Sequence, residues 1–110
     1  VQDTRSYHCD GRSLKFKSFV YISDVNELAD GPYCYVKGSH RRRRTWWRSA
    51  TFNKKNQLGP FEFSQLQGAE AISLFANAGD MVLSSQKGAH CGHPQNPEAK
   101  RAVLVNMYQR

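Results

Sequence analysis

Leu14-Lys15-Phe16-Lys17-Ser18-Phe19-Val20-Tyr21-Ile22-Ser23 is the stretch that decides the fold class. Phe16, Val20 and Ile22 fall on one parity, and Lys15, Lys17, Phe19 and Tyr21 on the other. Period-two alternation is the mark of a β-strand. The second parity is partly aromatic, so the stretch predicts a strand with both faces covered. Residues 24–32 form a turn-rich connection that ends in Asp30-Gly31-Pro32.

Further along the chain the same pattern returns in shorter pieces. Tyr33 to Lys37 predicts a second strand, stopped by Gly38-Ser39. Residues 40–60 are polar, basic and irregular, and a loop of that length in a small domain is usually functional or mobile. Phe61 to Leu66 predicts one or two helical turns, with Phe63 and Leu66 on one face. Ala71 to Phe75 and Met81 to Ser85 predict two strands joined by the turn Asn77-Ala78-Gly79-Asp80. Gly88 to Pro97 reads as a loop rich in Gly and Pro, and Arg101 to Tyr108 as the last strand. About five strands and little helix predict an all-β, antiparallel sandwich or jelly roll.

The chain has 110 residues, 39% of them hydrophobic, enough for one small packed domain. No apolar run approaches the ~20 residues of a membrane span, and no signal peptide is visible. The chain opens on Val1 and enters its first motif within ten residues, so both ends read as cut. Three cysteines make a closed disulfide framework a poor fit, and reduced thiols point to a cytoplasmic setting. The net charge of +7 is uneven: Arg41 to Arg44 and Arg48 supply five of the sixteen basic residues. That run, interleaved with Trp46 and Trp47, reads first as a solvated loop. The same mixture of cations and aromatics also suits phosphates and bases.

Before the opening strand stand His8 and Asp10, and far downstream stands His90 in Lys87-Gly88-Ala89-His90-Cys91-Gly92. Residues i and i+2 of an extended segment point the same way, so His8 and Asp10 can grip one ion together. Cys9, between them, would face the other way, and neither Cys9 nor Cys91 is assigned as a ligand. Two imidazoles and one carboxylate make a facial triad that suits Fe(II) and leaves coordination positions open. The same three residue types fit other metals and also meet by chance in most chains. His40 reads as a loop residue, and His93 as lying behind the ligands or in solvent. Gly88 and Gly92 would let the backbone around His90 approach its neighbours closely.

Tyr7-His8-Cys9-Asp10-Gly11, then Leu14 through Val25, then Gly31-Pro32 with Gly38-Ser39-His40, follow one another in order. Ala78 through Leu83 and Gly88 through Gly92, with Arg101 beyond, complete the series. Together these stretches resemble the phytanoyl-CoA dioxygenase (PhyH-like) family, over nearly the whole chain apart from the basic loop. The resemblance implies a double-stranded β-helix (jelly roll) and an Fe(II)- and 2-oxoglutarate-dependent dioxygenase. Such an enzyme uses O2 to hydroxylate a small organic substrate. His8, Asp10 and His90 would then hold the iron, and Arg101 would pair its planar fork with the far carboxylate of 2-oxoglutarate. Asp10 favours hydroxylation, because related halogenases leave that position small for a halide.

The chain departs from the pattern twice. About five strands stand where a jelly roll has about eight, so the others are expected before Val1. Gly92 stands where some members carry a hydroxyl residue. The resemblance places the basic loop at the mouth of the site, which favours a CoA-linked or otherwise anionic substrate over nucleic acid. Two other readings remain: a jelly-roll metal-binding protein without 2-oxoglutarate chemistry, and a basic nucleic-acid-binding module. Arg101 separates the first of these from the oxygenase, and the arginine run separates the second.

Overall fold

The computed structural model describes residues 7–8, 15–41 and 70–109. Among them are six strands: β1 (Lys15–Tyr21), β2 (Tyr33–Val36), β3 (Ala71–Leu74), β4 (Met81–Ser85), β5 (His90–Gly92) and β6 (Val103–Gln109). Two single 3-10 turns, Leu28–Asp30 and Ser39–Arg41, and no α-helix accompany them among the described residues. The strands form two antiparallel sheets with orders β4-β1-β6 and β3-β2-β5. This is the all-β, jelly-roll type of architecture that the alternation predicted. Residues 61–66, where helical turns were expected, lie outside the described residues, as do 42–60 of the basic loop.

β1 is the centre of its sheet. Phe19 sits opposite both Val82 and Val105, and Lys17 opposite both Ser84 and Met107. Its aromatic parity faces the second sheet. The Phe19 and Tyr33 rings meet there at 4.6 Å between centroids. Tyr21, Val25 and Ala76 form the buried core cluster, and Phe19, Val82 and Val103 pack against it. Burying apolar surface of this kind stabilises at roughly 25 cal/mol per Å2.

The connections are fastened by short side chains. Val25 and Ala76 exchange backbone hydrogen bonds of 2.8 and 2.9 Å, which ties the segment after β1 to the segment after β3. The Asp80 carboxylate accepts the Asn77 N–H at 2.8 Å, closing the expected turn between β3 and β4. The Asp30 carboxylate accepts the N–H groups of Asn26 and Glu27, which holds the 3-10 turn that leads into Gly31. Gly31 has φ +74°, and a Cβ there would stand 2.9 Å from the Gln95 Cβ. Only glycine meets both demands at no steric cost.

Two expectations are corrected. The segment after Gly88 is not all loop: His90–Gly92 is β5, paired with β2 through Tyr33↔Gly92, Cys34↔Cys91 and Tyr35↔His90. Three residues, the last a glycine, are too few for alternation to register. And Gly92 shows no close approach, since a Cβ there would meet nothing within 4 Å. Gly88 does: a Cβ there would run into the hydroxyl end of Tyr35.

Candidate metal centre

His8 and His90 come together through the sheet. The two residues form an isolated antiparallel bridge, with His8 N–H donating to His90 O at 3.0 Å and His90 N–H to His8 O at 2.9 Å. Directly opposed residues of an antiparallel pair project their side chains to the same face. The imidazole centroids are accordingly 4.6 Å apart. His90 is buried, and its side chain shares the face of Tyr33 and Tyr35, which looks into the sandwich.

The proton on His90 is placed by its neighbour. Its Nδ1 lies 2.8 Å from the Gly88 carbonyl oxygen. A carbonyl only accepts, so Nδ1 carries the hydrogen and the ring's basic lone pair is on Nε2. A backbone carbonyl behind one ring nitrogen is the usual way to orient a metal-binding histidine. Gly88 is set in turn by Ser39, which is fully buried and accepts the Ala89 N–H at 2.8 Å. Ser39 therefore works as a brace for the strand that carries His90. Nothing in the sequence alone tells a brace from a ligand.

Two tyrosines line the same interior. The Tyr35 ring is nearly parallel to His90, at 6.5 Å between centroids, and Tyr33 lies at 5.6 Å. Each phenol crosses to the other sheet. Tyr35 donates to the Ser85 carbonyl at 2.8 Å, and the Tyr33 hydroxyl is 2.9 Å from the Ser84 hydroxyl. The Gln86 amide donates to the Tyr33 hydroxyl at 3.3 Å, while its buried Oε1 has no hydrogen-bond partner among the described residues. Tyr35 also lines an open cavity of about 530 Å3, together with Phe16, His40, Leu74, Val82 and Lys87.

Arg101 lies two residues before β6 and donates to the Gly31 carbonyl. Its charge also reaches Tyr21, whose phenol is pushed up by burial and drawn part of the way back by the guanidinium. Rings lead from one end of the interior to the other: His90 beside Tyr33, Tyr33 beside Phe19, and Phe19 packed on the Tyr21 cluster.

On the opposite face of β5 the chemistry changes. Cys91 and Cys34 are directly paired and buried, with Tyr7 against them. The hydrogen bond from Cys91 draws the Cys34 thiol below the usual thiol range, while that same bond and burial push Cys91 up. Burial pushes the Tyr7 phenol up as well.

The other expected site residues divide plainly. Asp10 and Cys9 lie outside the described residues. Among the described residues no group of three His, Cys, Asp or Glu side chains could hold a metal, so the structure brings together two of the three expected ligands. His40 is exposed and accepts from the Arg41 Nε at 3.2 Å, and the His93 Nδ1 donates to the Pro94 carbonyl at 2.9 Å. No helix among the described residues is long and apolar enough to cross a membrane.

No family model matches the sequence, and no curated protein matches it. Solved structures do match the fold. HygX from Streptomyces hygroscopicus with iron bound superposes with a TM-score of 0.61 at 22% identity, covering 87% of this chain and 37% of HygX. HygX with nickel and 2-oxoglutarate bound gives a TM-score of 0.64 at 21% identity, covering 96% of this chain and 41% of that one. The non-heme alpha ketoglutarate dependent carbocyclase SnoK from nogalamycin biosynthesis gives 0.64 at 17% identity, covering 99% of this chain and 41% of SnoK. The chain thus spans about two fifths of the length of these proteins and shares their β-sandwich fold.

Proposed function

We propose that this chain carries the metal centre of an Fe(II)- and 2-oxoglutarate-dependent dioxygenase of the phytanoyl-CoA dioxygenase type. The observation that carries the reading is the pairing of His8 with His90, both imidazoles on one face and the His90 proton on Nδ1. Two nitrogen donors at adjacent strand positions fit a ligand set that Asp10 would complete with a carboxylate. His8, Asp10 and His90 would hold the iron. Bound there, iron supplies the activation of O2 that couples decarboxylation of 2-oxoglutarate to hydroxylation of the substrate.

The chain's own residues do the rest. The Gly88 carbonyl fixes the His90 tautomer, and Tyr33 and Tyr35 wall the imidazole against water. Arg101 would exchange its Gly31 carbonyl for the far carboxylate of 2-oxoglutarate, a better partner for a guanidinium. The likeness to HygX and SnoK supports the reading at the level of fold. A small-molecule substrate fits the open 530 Å3 cavity beside Tyr35, and Lys87 in its lining favours an anionic one.

The test is conversion of 2-oxoglutarate to succinate by the full-length protein with Fe(II). His8→Ala should abolish turnover and iron binding together. Arg101→Ala should weaken 2-oxoglutarate binding by at least about tenfold, the scale of one lost charge-assisted hydrogen bond, and leave iron binding intact. Absence of both succinate and Fe(II) binding in the wild type contradicts the proposal.

A further inference from the structure

We propose that Cys34 and Cys91 form a reversible disulfide that fastens the strand carrying His90 to its neighbour. The two residues are direct partners across the β2–β5 ladder. The flanking bonds Val36 N–H to Ala89 O and His93 N–H to Pro32 O are both in place. They put Cys34 and Cys91 in the hydrogen-bonded phase of the ladder, where opposed Cα atoms lie about 5.5 Å apart. That spacing falls inside the ~4.4–6.8 Å window of disulfides. Both side chains leave the sheet on the same face, opposite to His90, and they are 3% and 2% exposed. The Cys34 sulfur is already confined, 3.5 Å from the Ser73 hydroxyl and 3.6 Å from the Pro32 carbonyl.

A buried cysteine by itself is usually a small apolar filler. Two of them in direct register are different, because the bond needs no movement of the strands. The oxidant is a peroxide. One thiol takes an oxygen atom from hydrogen peroxide and becomes a sulfenic acid, releasing one water. The neighbouring sulfur attacks the sulfenic sulfur, the S–S bond forms, the S–O bond breaks, and hydroxide leaves with the second thiol's proton as water. Two thiols lose two hydrogens, and one peroxide is reduced to two waters. A dithiol reductant reverses the step by exchange. The inference does not depend on the oxygenase reading, since it uses neither metal nor cosubstrate.

Trypsin separates the three cysteines onto three peptides: Ser6–Arg12 with Cys9, Ser18–Lys37 with Cys34, and Gly88–Lys100 with Cys91. The purified full chain is treated with hydrogen peroxide, quenched with an alkylating agent, digested without reductant and mapped by mass. The expected product is Ser18–Lys37 joined to Gly88–Lys100, two hydrogens lighter than the sum, and separated again by dithiothreitol. The oxidised chain should also melt roughly 5–15 °C higher than the reduced one, a shift that Cys34→Ala loses. Recovery of those two peptides unlinked, unmodified or as sulfinic acids, overturns the proposal, as does linkage of either to Ser6–Arg12.

Discussion

Gly88 does two things, and only a glycine can do the second. Its carbonyl accepts from the His90 Nδ1, and its missing side chain leaves room for the Tyr35 hydroxyl. Gly88→Ala should therefore push Tyr35 off its bond to the Ser85 carbonyl and destabilise the chain by about 1–3 kcal/mol, the usual scale for overpacking. Chemical denaturation checks this, and a Tyr35→Ala background should remove most of the loss, because the two sites are in contact. An equal loss in both backgrounds would mean that the collision is not what matters. Gly88 was legible as a place of close approach, but its partner was not. Tyr35 lies far away in sequence and meets it only once β2 and β5 pair. The signature Gly31-Pro32 with Gly38-Ser39 was legible in the same partial way. Gly31 answers a left-handed backbone and Ser39 braces Ala89, roles that depend on contacts across the sheet.

At the level of elements, alternation found the longer strands and missed the shortest. β4 occupies the expected Met81–Ser85, and β1 and β3 lie within a residue or two of the expected bounds. β5 escaped because it is three residues long, polar at His90 and ends on a glycine. β6 is informative for another reason. Leu104, Val105, Met107 and Tyr108 are all about half exposed, although they alternate between its two faces. Met81 and Leu83 of β4 extend the exposed surface on the outer side. Exposed apolar area of this kind binds apolar probes and favours association. Substituting Leu104 and Tyr108 together with lysine should lower the fluorescence of a bound apolar dye and reduce concentration-dependent association, while the melting temperature changes little. Unchanged dye binding would show that the apolar surface of β6 is not what the dye reads.

For the whole molecule, the sheet β3-β2-β5 matters because its β5 edge brings together two histidines that are distant in sequence. His8 and His90 are not neighbours in any local sense. The H-x-D spacing makes the first a candidate, and the second becomes one only in the company of Gly88 and Arg101. The sheet closes the gap through a single pair of backbone hydrogen bonds. The central claim is that these two imidazoles share one metal ion. Anaerobic titration of the full-length protein with Fe(II), or with Co(II) as a visible probe, tests it most directly. The account predicts one equivalent bound by the wild type. His8→Ala and His90→Ala should each weaken binding beyond the ~10–100-fold that follows loss of a residue merely supporting a ligand. Retention of wild-type affinity in either variant would contradict the account.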